Sequence, residues 1–111
     1  MNTLSTHVLD TTHGRPAVGM TLVLSGPNGE IGRGTTNIDG RCPDLASEGL
    51  AAGRYALLFA VADYFRACGV DLPEPPFLDE VTVDFGVAAD GGHYHVPLLV
   101  SPYGYSTYRG S

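Results

Sequence analysis

His93-Tyr94-His95-Val96-Pro97-Leu98-Leu99-Val100-Ser101-Pro102-Tyr103-Gly104-Tyr105-Ser106-Thr107-Tyr108-Arg109-Gly110-Ser111 reads as a β-hairpin. One strand is expected over 93–100 and the other over 105–109. Between them, Ser101-Pro102-Tyr103-Gly104 carries proline at the second turn position and glycine at the fourth, the preference of a type I turn. If Ser101 and Gly104 flank a two-residue loop, His95 faces Gly110 and Pro97 faces Tyr108. Side chains alternate between the two faces of a strand. His93, His95, Tyr108 and Gly110 then share one face. Tyr94, Val96 and Leu98 point to the other, the expected core.

Working outward, the same two-residue period recurs. Leu4, Thr6 and Val8 alternate with Thr3, Ser5 and His7. Thr21 to Leu24 is a second run, closed by the turn cluster Gly26-Pro27-Asn28-Gly29. Ile31 to Thr36 is a third, and Asp39-Gly40 marks the turn after it. A weak edge strand is expected near Arg41 to Leu45. Tyr55, Leu57 and Phe59 alternate with Ala56, Leu58 and Ala60 in a more buried run, and Val81, Val83 and Phe85 form another. The period breaks once. Val61, Tyr64, Phe65 and Cys68 fall at i, i+3, i+4 and i+7, one helical face, and Gly69 supplies a helix stop. Asp63 and Arg66 lie off that stripe. Pro73 to Pro76 holds three prolines and is expected to be a loop. Short β runs punctuated by 15 glycines and 8 prolines point to an all-β sandwich or barrel with one short helix.

The chain has 111 residues, which fits one domain over residues 1–111 with a modest core. The start, Met1 to Asp10, has no basic segment and no unbroken apolar run, so no secretory signal is expected. No apolar stretch approaches the roughly 20 residues of a membrane-spanning helix. A soluble, cytoplasmic protein is the expectation. The net charge is −6 and there is no lysine. A nucleic-acid partner needs a basic footprint, and six scattered arginines do not make one. One or two well-placed arginines still suit an anionic small molecule. Cys42 and Cys68 read as ordinary thiols, because they form no metal or disulfide pattern.

Four polar features remain: His7, Arg41, the His93/His95 pair, and the segment from Tyr108 to Ser111. Each has a bland reading. His7 fits an exposed or internally satisfied histidine, since histidine is intermediate in burial. Arg41 fits a surface charge after a turn, and His13 a solvent-facing loop residue. His93 and His95 share a face at a spacing that can hold a metal, but third and fourth ligands are wanting, so no metal is expected. No phosphate loop, H-E-x-x-H or G-x-S-x-G motif occurs. Any chemistry must therefore use residues distant in sequence.

These residues also occur in a familiar order. Leu4-Ser5-Thr6-His7-Val8-Leu9-Asp10-Thr11, followed by Gly14-Arg15-Pro16-Ala17, resembles the opening signature of the 5-hydroxyisourate hydrolases. Thr36-Asn37-Ile38-Asp39-Gly40-Arg41 is similar to their Thr-x-x-Asp-Gly-Arg segment. Gly53-x-Tyr55-x-Leu57-x-Phe59 with Tyr64-Phe65 resembles a strand–helix unit shared across the transthyretin superfamily. The 93–99 and 101–111 segments resemble the family's closing block, and the Tyr-Arg-Gly-Ser ending sets it apart from hormone-carrying transthyretins. Pro73 to Phe77 departs from the simpler Phe-Pro segment of many members.

The resemblance implies a transthyretin-like sandwich of two four-stranded sheets with one short helix. It implies a homotetramer, a dimer of dimers, with active sites between dimers and no cofactor. It also implies hydrolysis of a cyclic amide in 5-hydroxyisourate, in urate catabolism. Carried over, His7, Arg41 and His95 match the catalytic trio, with Ser111 a further catalytic residue. Arg41, His7 and Tyr108 would bind substrate. The alternative is a transthyretin-like carrier of a small ligand, without catalysis.

Overall fold

The computed structural model describes residues 2–110. Among the described residues, eight strands and one helix follow in order: β1 (Thr3–Asp10), β2 (Arg15–Pro16), β3 (Thr21–Gly26), β4 (Gly29–Thr35), β5 (Gly53–Phe59), α1 (Val61–Ala67), β6 (Val81–Val87), β7 (His93–Ser101) and β8 (Gly104–Thr107). They form two four-stranded sheets, in the orders β2-β1-β7-β8 and β4-β3-β5-β6.

The alternating runs explain the sandwich. Thr6 and Val8 of β1 are buried while Thr3 faces out, as the period requires. On β7, Tyr94, Val96, Leu98 and Val100 are buried. They meet Leu22 and Leu24 of β3 and Leu57 and Phe59 of β5 in one core. The helix closes that core with Val61, Tyr64 and Phe65 buried. Gly69, at φ +85°, adopts the left-handed conformation that ends the helix. A fully buried Phe65 makes this packing costly to lose, at about 3–5 kcal/mol for truncation to alanine.

The hairpin register is as read from the sequence: Ser101 pairs Gly104, Leu99 pairs Ser106, and an isolated bridge joins His95 to Gly110. The second strand is shorter than expected, because β8 stops at Thr107. Pro97 lies opposite the Tyr108 position and has no N–H to give across the hairpin. Its carbonyl instead accepts from the Thr107 hydroxyl at 2.7 Å. The edge strand expected near Arg41 to Leu45 does not form. Only one bridge, His7 to Arg41, survives there, and the chain then turns away. The two-residue β2 has no sequence signal of its own. It arises because Leu9 and Asp10 pair with Pro16 and Arg15.

One pairing sets the site. β1 and β7 run parallel, so Thr3 lies beside His93, Ser5 beside His95 and His7 beside Pro97. Residues from opposite ends of the sequence thereby share the outward face of one sheet.

Candidate active site

The site is built on two inner strands and two flanking segments. On the side of β1 away from β7, the Asn37–Arg41 turn docks through Val8 N donating to Gly40 O at 2.8 Å. Asn37 shapes this turn. Its side-chain oxygen accepts from the N–H groups of Asp39 (2.9 Å) and Arg41 (3.0 Å), an Asx turn. Gly40 has φ +75°, and a Cβ there would lie 2.5 Å from Val8 O. Only glycine brings Arg41 this close to His7. On the far side of β7, Gly110 N donates to His95 O at 2.8 Å. The row across the sheet is therefore Arg41, then His7 and Ser5, then His95 and His93, then Gly110.

His95 is half-buried at the centre of this row. Its Nδ1 lies 2.7 Å from Ser5 Oγ. The same hydroxyl lies 2.8 Å from His93 Nε2, and His93 Nδ1 is 2.6 Å from Thr3 Oγ1. Burial lowers the His95 pKa below the usual histidine value, and the nearby charges of Arg41, His7 and His93 lower it further. A neutral imidazole at neutral pH is a competent proton acceptor. Arg41 is exposed and brings a planar donor fork to the same face.

Of the residues singled out in the sequence, His7, Arg41 and His95 come together. Tyr108 sits differently. It is 60% exposed and lines a groove of about 570 Å³ with Val83, Phe85, Val87, Tyr94 and Val96. None of the three polar residues lines that groove, so it is separate from the histidine face. Ser111 lies outside the described residues. Arg109 anchors the segment between them, with its guanidinium 4.0 Å above the Tyr94 ring and bonded to the carbonyls of Gly91 and His93.

Sequence reasoning missed Ser5 and Asn37 as parts of the site, whereas Gly110 lies opposite His95 as the hairpin register predicts. A Cβ on Gly110 would lie 2.4 Å from His95 Cδ2, so glycine there leaves room for the ring. An Asx residue two positions before an Asp-Gly turn was the available signal for Asn37. His13 is exposed in its turn, as expected, but it also has a partner. Its ring bonds to the buried Asp10 carboxylate, which accepts from the Tyr64 hydroxyl at 2.7 Å as well. Asp10, His13 and Cys68 lie close enough to hold a metal. The Asp10 oxygens, however, already accept four bonds, including those from the N–H groups of Thr12 and His13. The cluster is a hydrogen-bond hub that ties the β1 turn to the helix.

The two sheets and helix, with two histidines and an arginine gathered on one outer face, define a transthyretin-like sandwich. The chain belongs to the HIUase/Transthyretin family, whose model matches residues 4–110. It is 56% identical to the 5-hydroxyisourate hydrolase of Ralstonia nicotianae, with both chains covered in full. The solved Klebsiella pneumoniae 5-hydroxyisourate hydrolase superposes with a TM-score of 0.88 at 37% identity, also covering both chains in full. Transthyretin from Sparus aurata superposes with a TM-score of 0.85 at 28% identity, over 99% of this chain and 97% of its own.

Proposed function

We propose that this protein, acting as a single domain, hydrolyses 5-hydroxyisourate to 2-oxo-4-hydroxy-4-carboxy-5-ureidoimidazoline in urate catabolism. The observation that carries the reading is the meeting of Arg41, His7 and a pKa-depressed His95 on one sheet face. Full-length identity to a named hydrolase supports it. Hydrolysis of a cyclic amide needs a base for water, a held carbonyl and a countercharge for the oxyanion. His95, kept neutral beside Arg41, takes the water proton. The freed electron pair forms the C–O bond at the ring carbonyl. Arg41 receives the developing oxyanion, a role worth about 2.7–4 kcal/mol for one well-aimed donor. His7 binds and orients the ring from the neighbouring strand. When the C–N bond breaks, the leaving nitrogen takes a proton back from the histidine pair.

Tyr108 and Ser111 contact the substrate in this reading, Tyr108 from the neighbouring groove. The protein works in the cytoplasm as a homotetramer, a dimer of dimers with active sites between dimers. The open histidine face of the single chain and the exposed Tyr103, Tyr105 and Tyr108 support a covering subunit. A transthyretin-like carrier has no use for a base and an arginine on this face, and a polar constellation without a role is costly to hold together.

The test is kinetic. Freshly oxidised urate should lose its 5-hydroxyisourate absorbance faster with the protein present. Arg41→Ala should lower kcat about 10²–10³-fold, and His95→Ala should remove the acceleration. A wild type that leaves the decay rate unchanged overturns the hydrolase reading.

A further inference from the structure

Ser5 and His93 occupy positions that binding and orienting substrate do not explain. Ser5 Oγ lies between two imidazoles, 2.7 Å from His95 Nδ1 and 2.8 Å from His93 Nε2. A serine hydroxyl has one proton to donate. It can therefore donate to only one ring and must accept from the other. The Thr3 hydroxyl, 2.6 Å from His93 Nδ1, extends the same constraint by one more link. The four groups form a single chain of hydrogen bonds whose direction is set as a unit.

One direction leaves His95 as a base. His95 Nδ1–H donates to Ser5, the Ser5 hydroxyl donates to His93 Nε2, and His93 Nδ1–H donates to Thr3. The outer nitrogen of His95, Nε2, then carries a free lone pair. A proton taken there would place positive charge on a half-buried ring that faces Arg41 and His7 from the β1 side and His93 along its own strand. His93, by contrast, is exposed to water.

We propose that Ser5 and His93 form a proton relay that receives the proton taken up by His95 and returns it later in the reaction. The proposal rests on the hydrolase reading given above. In the first half, a water O–H bond breaks and its proton bonds to His95 Nε2. The electron pair left on oxygen forms the C–O bond to the substrate carbonyl carbon. The Nδ1 proton of His95 moves to Ser5 Oγ, and the Ser5 proton moves to His93 Nε2. His95 ends neutral, and His93 ends as an imidazolium with protons on both nitrogens. In the second half each transfer reverses. His95 Nε2 delivers its proton to the leaving nitrogen as the C–N bond breaks, and the chain regains its first direction. No proton or electron is gained or lost over the cycle beyond the water consumed. Ser5 is a positioning and relay residue, and His93 is the proton store.

The test uses the full chain with Ser5→Ala, Ser5→Thr and His93→Gln. Initial rates are read against pH, together with rates in mixtures of light and heavy water. Ser5→Ala and His93→Gln should each lower kcat at least about tenfold, a part of what a general base supplies, with KM little changed. Ser5→Thr keeps the hydroxyl and should restore most of the rate. The wild type should show a curved dependence on deuterium fraction, the mark of several protons in flight, and Ser5→Ala a linear one. In parallel, nitrogen NMR of the substrate-free protein should show His95 resonances that respond when His93 titrates, and no such response in Ser5→Ala. An active wild type whose Ser5→Ala variant keeps its rate and pH profile overturns the relay. An inactive wild type overturns the hydrolase reading instead, and the NMR coupling then decides the relay: without coupling, it falls.

Discussion

His95 owes its chemistry to what surrounds it. Burial and the charges of Arg41, His7 and His93 favour the neutral ring, so protonation needs a pH below the usual histidine value of 6.5. The folded state then binds fewer protons than the unfolded state in that window, and stability rises with pH across it. The contribution is present above 6.5 and is lost as the pH falls through the lowered value. Activity should likewise hold down to that lowered value. Arg41→Gln removes one of the lowering charges, and NMR titration should show the His95 pKa moving up. A His95 titration unchanged in that variant would exclude the proposed electrostatic link. Gly110 offers a second expectation. Gly110→Ala sets a methyl 2.4 Å from His95 Cδ2, so the ring or the segment must move. Turnover should fall more than tenfold, in line with the cost of misplacing the proposed base, while urea midpoints change little. At this scale the sequence was informative about residue types and weak about companions. His7, Arg41 and His95 were legible because their neighbours resemble a family signature. Ser5 was not, because a serine on a strand has no periodic mark, and its role exists only where a parallel partner brings two imidazoles to it.

Elements were more legible than the joints between them. The two-residue alternation placed β1, β3, β5, β6 and β7, and the one break in that period placed α1 at Val61–Ala67. Pairing depends on partners that no local window contains. Nothing between Thr3 and Asp10 says that β1 will lie parallel to β7. Nor does Arg41 to Leu45 reveal that a single bridge, rather than a strand, is all that docks on β1. The hub at Asp10 shows how elements are tied. Burial pushes this carboxyl up, but hydrogen bonds from His13 and Tyr64 outweigh it and hold its pKa below 3.8. Burial and that same bond push the Tyr64 hydroxyl up. Tyr64→Phe removes one donor from a buried carboxylate and should cost about 1–3 kcal/mol in urea denaturation. The kcat should be retained, because the hub lies at the far end of β1 from Ser5. A Tyr64→Phe protein as stable as the wild type would show that the helix is held by its apolar face alone.

For the whole molecule, the row of polar groups is open on its outer side, and each sheet ends in two edge strands, β2 and β8 in one, β4 and β6 in the other. For the tetramer proposed above to cover that face, light scattering behind size exclusion should report four copies of the 11.7 kDa chain. A monomer that turns over substrate would show that no second subunit is needed to cover the face. The parallel pair at the centre of the first sheet has another consequence, which concerns how the protein is made. β1 leaves the ribosome long before β7, and they are direct neighbours. Until β7 follows, β1 has a row of unpaired backbone donors and acceptors along one edge, the kind of surface that recruits other chains. The two histidines and the arginine of that face meanwhile stand apart, since His7 and Arg41 emerge long before His95. A nascent chain therefore holds no partly working site, and a release that stops short of β7 leaves a sticky fragment rather than a weak catalyst.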